Sequence, residues 1–118
     1  MNTREVGSCY EEQAVLYLQE QQMQILCRNY RSYRGEVDII AREGEEIVFV
    51  EVKYRFSDRF GRGEFHVDKR KQHRIYQAAQ QYLLLHYPEG NNPFCRFDVI
   101  AIDGKEGITH YRDAFRKE

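Results

Sequence analysis

A chain of 118 residues, 42% apolar and carrying nine tyrosines and seven phenylalanines, is sized for a single domain, residues 1–118, with a real core. That composition excludes intrinsic disorder, and no apolar run approaches the ~20 residues of a membrane span, so no membrane partner is expected. A net charge of -1 excludes a uniformly basic nucleic-acid binder, but the charge is unevenly spread.

In chain order, the elements read α-β-β-β-α-β. Residues from about Thr3 to Gln22 form an amphipathic helix, with Tyr10, Ala14, Tyr17 and Leu18 on one stripe. Met23 to Tyr30 reads as a first strand and Arg31 to Gly35 as a polar turn. A second strand runs from about Glu36 to Arg42. Glu43-Gly44-Glu45 turns the chain into a third strand, Ile47 to Arg55. Phe56 to Phe65 is a loop. Asp68 caps a second helix that runs to about His86, with Ile75, Ala78, Ala79, Tyr82 and Leu83 on its apolar side. After a breaker-rich loop from Pro88 to Pro93, Phe94 to Ile102 alternates as a fourth strand. A short edge strand at Ile108 to Tyr111 follows.

The second and third strands hold the unusual chemistry. Asp38 lies within Gly35-Glu36-Val37-Asp38-Ile39-Ile40, and Glu51 and Lys53 follow Ile47-Val48-Phe49-Val50. Charged side chains in such buried runs are costly unless they pair or bind a cation. Strand alternation puts Glu51 and Lys53 on the face shared by Ile47 and Phe49, with Val48, Val50 and Val52 opposite. The hairpin brings Asp38 beside Glu51, where like charges repel unless a cation sits between them. Two carboxylates and an amine suit a hard divalent metal and metal-assisted phosphodiester hydrolysis. The plainer reading is a Glu51–Lys53 or Asp38–Lys53 ion pair at a solvated sheet edge.

Charge distribution points the same way. Lys53 to Arg74 contains eight Lys or Arg (53, 55, 59, 62, 69, 70, 71, 74) against three acids, whereas the first 27 residues hold Arg4 against four glutamates. Arg55, Lys69, Arg70 and Lys71 therefore become candidate phosphate contacts, beside the ordinary reading of a solvated charged segment. Tyr30, Tyr33 and Tyr54 lie among arginines and can stack on unpaired bases or simply pack. Cys9, Cys27 and Cys95 are widely spaced and form no CxxC pair, which fits a reducing cytoplasm and buried free thiols. The four histidines lack zinc-ligand spacing.

These residues together carry a resemblance. Glu11, Ala14 and Tyr17-Leu18, then Gly35 to Ala41, Val48 to Arg55, Lys71-Gln72, Ala78-Ala79, Tyr82-Leu83 and Arg96-Phe97-Asp98-Val99 match, in order, the YraN-like family of bacterial proteins. That family is similar to archaeal Holliday junction resolvases of the PD-(D/E)XK nuclease superfamily. Val37 stands where isoleucine is usual. The resemblance implies a restriction-endonuclease-like α/β fold with a mixed central β-sheet flanked by helices. It implies Mg²⁺ or Mn²⁺ held by Asp38, Glu51 and the helix glutamate Glu11, and catalysis by Lys53. Lys71 and Gln72 are implied as phosphate-contacting or site-supporting side chains. The activity implied is endonucleolytic cleavage of branched, flapped or damaged DNA, by a homodimer. A non-catalytic nucleic-acid-binding scaffold with the same fold is the alternative. Asp98 reads equally as a salt-bridge partner for an arginine.

Overall fold

The computed structural model describes residues 3–55, 67–104 and 107–117. Arg59 and Arg62, in the loop after the third strand, lie outside the described residues. The elements are α1 (Thr3–Glu20), β1 (Gln24–Arg31), β2 (Glu36–Glu43), β3 (Glu46–Arg55), α2 (Lys69–His86), β4 (Cys95–Asp103) and β5 (Gly107–Phe115). One five-stranded sheet runs in the order β1-β2-β3-β4-β5. Among the described strands only β3 and β4 pair in parallel, and α2 lies between them in the chain, as a parallel pair requires a long crossover. The architecture is mixed α/β, a sheet flanked by two helices, compatible with a restriction-endonuclease-like fold.

Strand alternation divides the core in two. Val48 and Val50 of β3 join Ile39, Ile100 and Ile102 against Ala14 and Leu18 of α1. Ile47 and Phe49 join Ile40 and Val99 against Ile75, Ala78 and Tyr82 of α2. With β2 and β4 on its edges and a helix over each face, β3 is a central strand. That is why it reads as an unbroken apolar run, and the solvated sheet edge considered for Glu51 does not apply.

Local chemistry sets the boundaries. Past Glu20, Gln22 takes a left-handed φ of 69°. Its N–H donates to Gln19 O, and the Met23 N–H reaches back to Leu18 O, while Met23 packs in the same cluster as Leu18. Gly44, at φ 62°, turns β2 into β3 through a two-residue loop, which leaves Glu43 opposite Glu46. Arg96 Nη1 bridges these like charges at 2.8 and 2.7 Å. Asp68 caps α2 by accepting the Lys71 N–H at 2.8 Å.

Two expectations need correction. β5 is a nine-residue strand and not the short Ile108–Tyr111 segment. Its second half is polar, and Asp113 has a φ of 52°, so no alternation marks it. It is held instead by the Asp98 carboxylate, which accepts the Asp113 N–H at 2.9 Å where the β4–β5 register shifts. The cysteines are free, but Cys9 is exposed and Cys27 and Cys95 are half-buried, so none is a core thiol. Among the described residues no helix is long and apolar enough to cross a membrane.

Candidate functional site

The β2–β3 ladder runs from Glu43–Glu46 to Ile39–Val50 and ends there. One step further, the same register would set Asp38 opposite Glu51. The strands part at this point, and the Val52 N–H donates to Asp38 Oδ2 at 2.8 Å. A side chain thus replaces a ladder bond and fixes the Asp38 carboxylate beside that of Glu51.

Glu51 is 4% exposed. Its Oε2 is the one buried side-chain oxygen or nitrogen that no hydrogen-bond partner reaches among the described residues. Burial, then the Asp38 charge beside it, pushes the Glu51 carboxyl up from 4.5 to about 8, against the pull of Lys71 and Lys53. Burial raises Asp38 as well, opposed by the Val52 N–H. Near neutrality the pair therefore retains a proton. Lys53 lies on the Glu51 face as alternation predicts, with Nζ 3.9 Å from Glu51 Oε1.

A second amine enters from α2. Lys71 Nζ is 3.7 Å from Glu51 Oε1 and 2.8 Å from Glu36 Oε1. Burial opposes the Lys71 charge, but Glu36, Glu51 and Asp38 outweigh it and raise its pKa. The Lys71 hydrogen bond in turn lowers Glu36. Arg74 Nη2 lies 3.2 Å from the same Glu36 oxygen. Lys71, expected on the nucleic-acid surface, is therefore also part of the carboxylate cluster. Glu36 and Arg74 belong to the site and were not assigned to it from sequence. The signals existed: Glu36 is two residues before Asp38 on a strand, and Arg74 is one helical turn after Lys71.

The other sequence-derived residues fall in different places. Glu11 Oε1 accepts from Asn29 Nδ2 at 2.9 Å and Arg28 Nε at 3.4 Å. Asn29 stands across from Asp38 in the β1–β2 register, so Glu11 is near the site but its carboxylate is engaged by β1. Among the described residues no three His, Cys, Asp or Glu side chains converge as a metal cluster. Of the expected three acids, Asp38 and Glu51 lie side by side, and Glu11 has its Oε1 bonded to β1. Gln72 Nε2 donates to Val67 O at 2.7 Å and its Oε1 accepts from Tyr76. Its amide ties α2 to its lead-in, while the half-buried side chain also lines the groove beside Lys69. Lys69 and Arg70 are exposed. Lys69 lines a groove of about 260 Å³ with His73, Tyr76, Arg116 and Lys117. The Arg55 side chain lies outside the described residues.

The two carboxylates fit a hard cation. Mg²⁺ commonly binds through one or two carboxylates and fills its remaining positions with water and substrate oxygens. A buried carboxylate oxygen without a donor, next to a second carboxylate, is the donor set such an ion would complete.

Asp98 resolves as the salt-bridge reading. It is fully buried and takes Arg96 Nε at 3.0 Å, His110 Nε2 at 2.7 Å and the Asp113 N–H. Tyr17 OH meets His110 Nδ1 at 3.1 Å, tying α1 to β4 and β5.

The model of the family described as uncharacterised protein family UPF0102 matches residues 10–102. A UPF0102 protein of Sulfurihydrogenibium sp. (strain YO3AOP1) is 41% identical over 118 residues, 100% of both chains. One from Lachnoclostridium phytofermentans is 45% identical over 115 residues, 98% of this chain and 96% of its own. One from Halorhodospira halophila is 43% identical over 115 residues, covering 98% and 90%.

Proposed function

The chain belongs to the UPF0102 family, the YraN-like proteins, and from that premise and its paired carboxylates we propose that it is a metal-dependent DNA endonuclease. The observation that carries this reading is Glu51 Oε2, buried beside Asp38 with no donor. A structural carboxylate would be matched internally, as Asp98 is. A site carboxylate is left for an external cation.

Asp38 and Glu51 would hold Mg²⁺ or Mn²⁺. Bound there, the ion supplies Lewis acidity toward a phosphodiester and lowers the pKa of its water. The protein's own groups do the rest. Val52 N–H and Lys71 orient the two carboxylates. Lys53, one-third exposed at the rim, offsets negative charge gathering on the phosphate. Lys69, Arg70, Arg116 and Lys117 bind flanking phosphates without reading sequence. The substrate class is branched, flapped or damaged DNA, and a homodimer would supply two cuts at a junction.

Calorimetry with Mn²⁺ tests the site directly. Wild type should bind one ion per chain, and the Asp38→Asn plus Glu51→Gln variant none. Equal affinity in both removes the site. A cleavage panel of flaps, forks and four-way junctions in Mg²⁺ tests turnover. The engagement of Glu11 by Asn29 and Arg28 favours a second reading, a DNA-binding scaffold with little turnover. Binding of several panel members with cleavage of none establishes that reading.

A further inference from the structure

We propose that the turn between β1 and β2 and the outer face of α2 form a subsite for one unpaired nucleobase, with Tyr33 as its stacking platform. This rests on the nuclease reading and names the feature by which the same site would distinguish flapped or branched DNA from plain duplex.

Tyr33 is 90% exposed, an unusual setting for a large aromatic ring. It does not sit on a loose loop. The Ser32 N–H and hydroxyl both donate to Gly35 O, at 2.9 and 3.4 Å, closing the turn. Gly35 itself lies directly on the α2 backbone. A Cβ there would meet Arg74 O at 2.2 Å and Ala78 N at 2.6 Å, so only glycine allows this approach. The turn is docked on a helix and still presents Tyr33 to solvent.

Beside the ring is a groove of about 200 Å³, lined by Tyr33, Arg34, Gln77, Gln80, Gln81 and Leu84. It is smaller than the 300 Å³ or more typical of small-molecule pockets, and its contents suit a planar base. Tyr33 supplies a π-face, the three glutamine amides offer donors and acceptors to a base edge, and the Leu84 side chain is apolar. The Arg34 guanidinium lies over one face of the Tyr33 ring, 5.4 Å from its centroid, so the base would stack on the other face with a cation close by for its phosphate.

Position joins the groove to the carboxylates. Lys71, Arg74, Gln77 and Gln81 follow one stripe of α2, and Glu36, directly after the docked glycine, holds both Lys71 and Arg74. At 1.5 Å per residue, Gln77 is about 9 Å along the helix from Lys71. That is roughly three nucleotides at the ~3.4 Å spacing of one strand. A duplex keeps its bases paired and has none to offer. A flap or branch can place one there while its backbone passes the carboxylates.

The test is equilibrium binding in Ca²⁺, by fluorescence anisotropy, of a blunt duplex, the same duplex with an unpaired flap, and the single strand. 2-Aminopurine is scanned through the first unpaired positions. Wild type should prefer the flap, and its 2-aminopurine emission should be quenched at one or two positions near the junction. Tyr33→Ala should weaken flap and single-strand binding about five- to 150-fold, leave blunt-duplex binding unchanged and abolish the quenching, while Tyr33→Phe preserves all three. The proposal is overturned if Tyr33→Ala binds the flap as wild type does, weakens all three DNAs equally, or if wild type shows no flap preference. Cleavage read in Mg²⁺ separates the two ideas. A Tyr33-dependent flap preference without cutting keeps the subsite and removes the nuclease. Unchanged flap affinity with cutting removes the subsite and keeps the nuclease.

Discussion

Asp98 and Glu51 are buried carboxylates on adjacent parallel strands, one register step apart and on opposite faces of the sheet. Toward α1, Asp98 is surrounded by donors. Burial opposes its charge, yet His110, Arg96 and the Asp113 N–H outweigh burial and hold its carboxyl below the ordinary carboxylate range. Toward α2, Glu51 meets another carboxylate, two amines at 3.7 and 3.9 Å, and no donor at Oε2. The first arrangement is self-sufficient and joins three elements. The second leaves one buried carboxylate oxygen unmatched, the feature on which the proposed metal site rests.

The largest expected effect tests the Asp98 centre. Asp98→Asn removes the buried anion on which Arg96 Nε, His110 and the Asp113 N–H converge, although Arg96 Nη1 keeps Glu43 and Glu46, and should destabilise the protein by about 3 kcal/mol in urea denaturation. Glu51→Gln removes a like-charge contact and should be neutral or stabilising. If the Glu51 variant loses as much stability as the Asp98 variant, the distinction between the two centres collapses.

Next comes chemistry. Lys53→Met keeps the aliphatic stem and leaves both carboxylates in place. Single-turnover cleavage should fall on the order of 100-fold, about 3 kcal/mol, with stability and DNA affinity nearly unchanged. Equal rates in variant and wild type would remove Lys53 from catalysis.

The two centres should also respond to pH with opposite sign. Glu51 is raised from 4.5 to about 8, so across that window the native state holds a proton that the unfolded chain releases. Stability from this group is full below its ordinary value and is lost as pH rises toward 8. Asp98 is depressed, so its contribution is full above the ordinary carboxylate range and is lost as pH falls through its native value. In EDTA, Glu51→Gln should flatten the decline toward pH 8, while Asp98→Asn flattens the acid limb. Saturating Mg²⁺ should stabilise wild type more at about pH 8 than at about pH 5, because binding competes with the retained proton. A wild-type profile level across the neutral range would contradict the proton held by Asp38 and Glu51.

The smallest effect concerns the rim. Lys69→Ala with Arg70→Ala should weaken all DNAs alike and reduce the salt slope of log affinity by about two. An unchanged slope moves the phosphate track away from the start of α2.

Much of this was legible before folding. Helix stripes, strand alternation, the Asp68 cap and the Gly44 turn are local rules, and they gave six elements and the pairing of Asp38 with Glu51 and Lys53. β5 was only glimpsed, because its polar half depends on Asp98, 15 residues away. The resemblance implied Gln72 as a phosphate-contacting or site-supporting side chain, and its bond to Val67 O, a backbone group, is one that no side-chain pattern reveals. The resemblance implied Glu11 as a third ligand, and nothing local shows that Asn29 and Arg28 also reach it across 18 and 17 residues.

By itself, the sequence determined which residues line each face of each strand and helix, since side-chain direction follows from backbone period alone. It therefore determined that two acids and a lysine would share one face of a central hairpin. Only the tertiary structure decided which buried charges are matched. Matching depends on donors delivered from distant elements: Arg96, His110 and Asp113 gather around Asp98, while Lys71 and Glu36 meet beside Glu51 and leave Oε2 open.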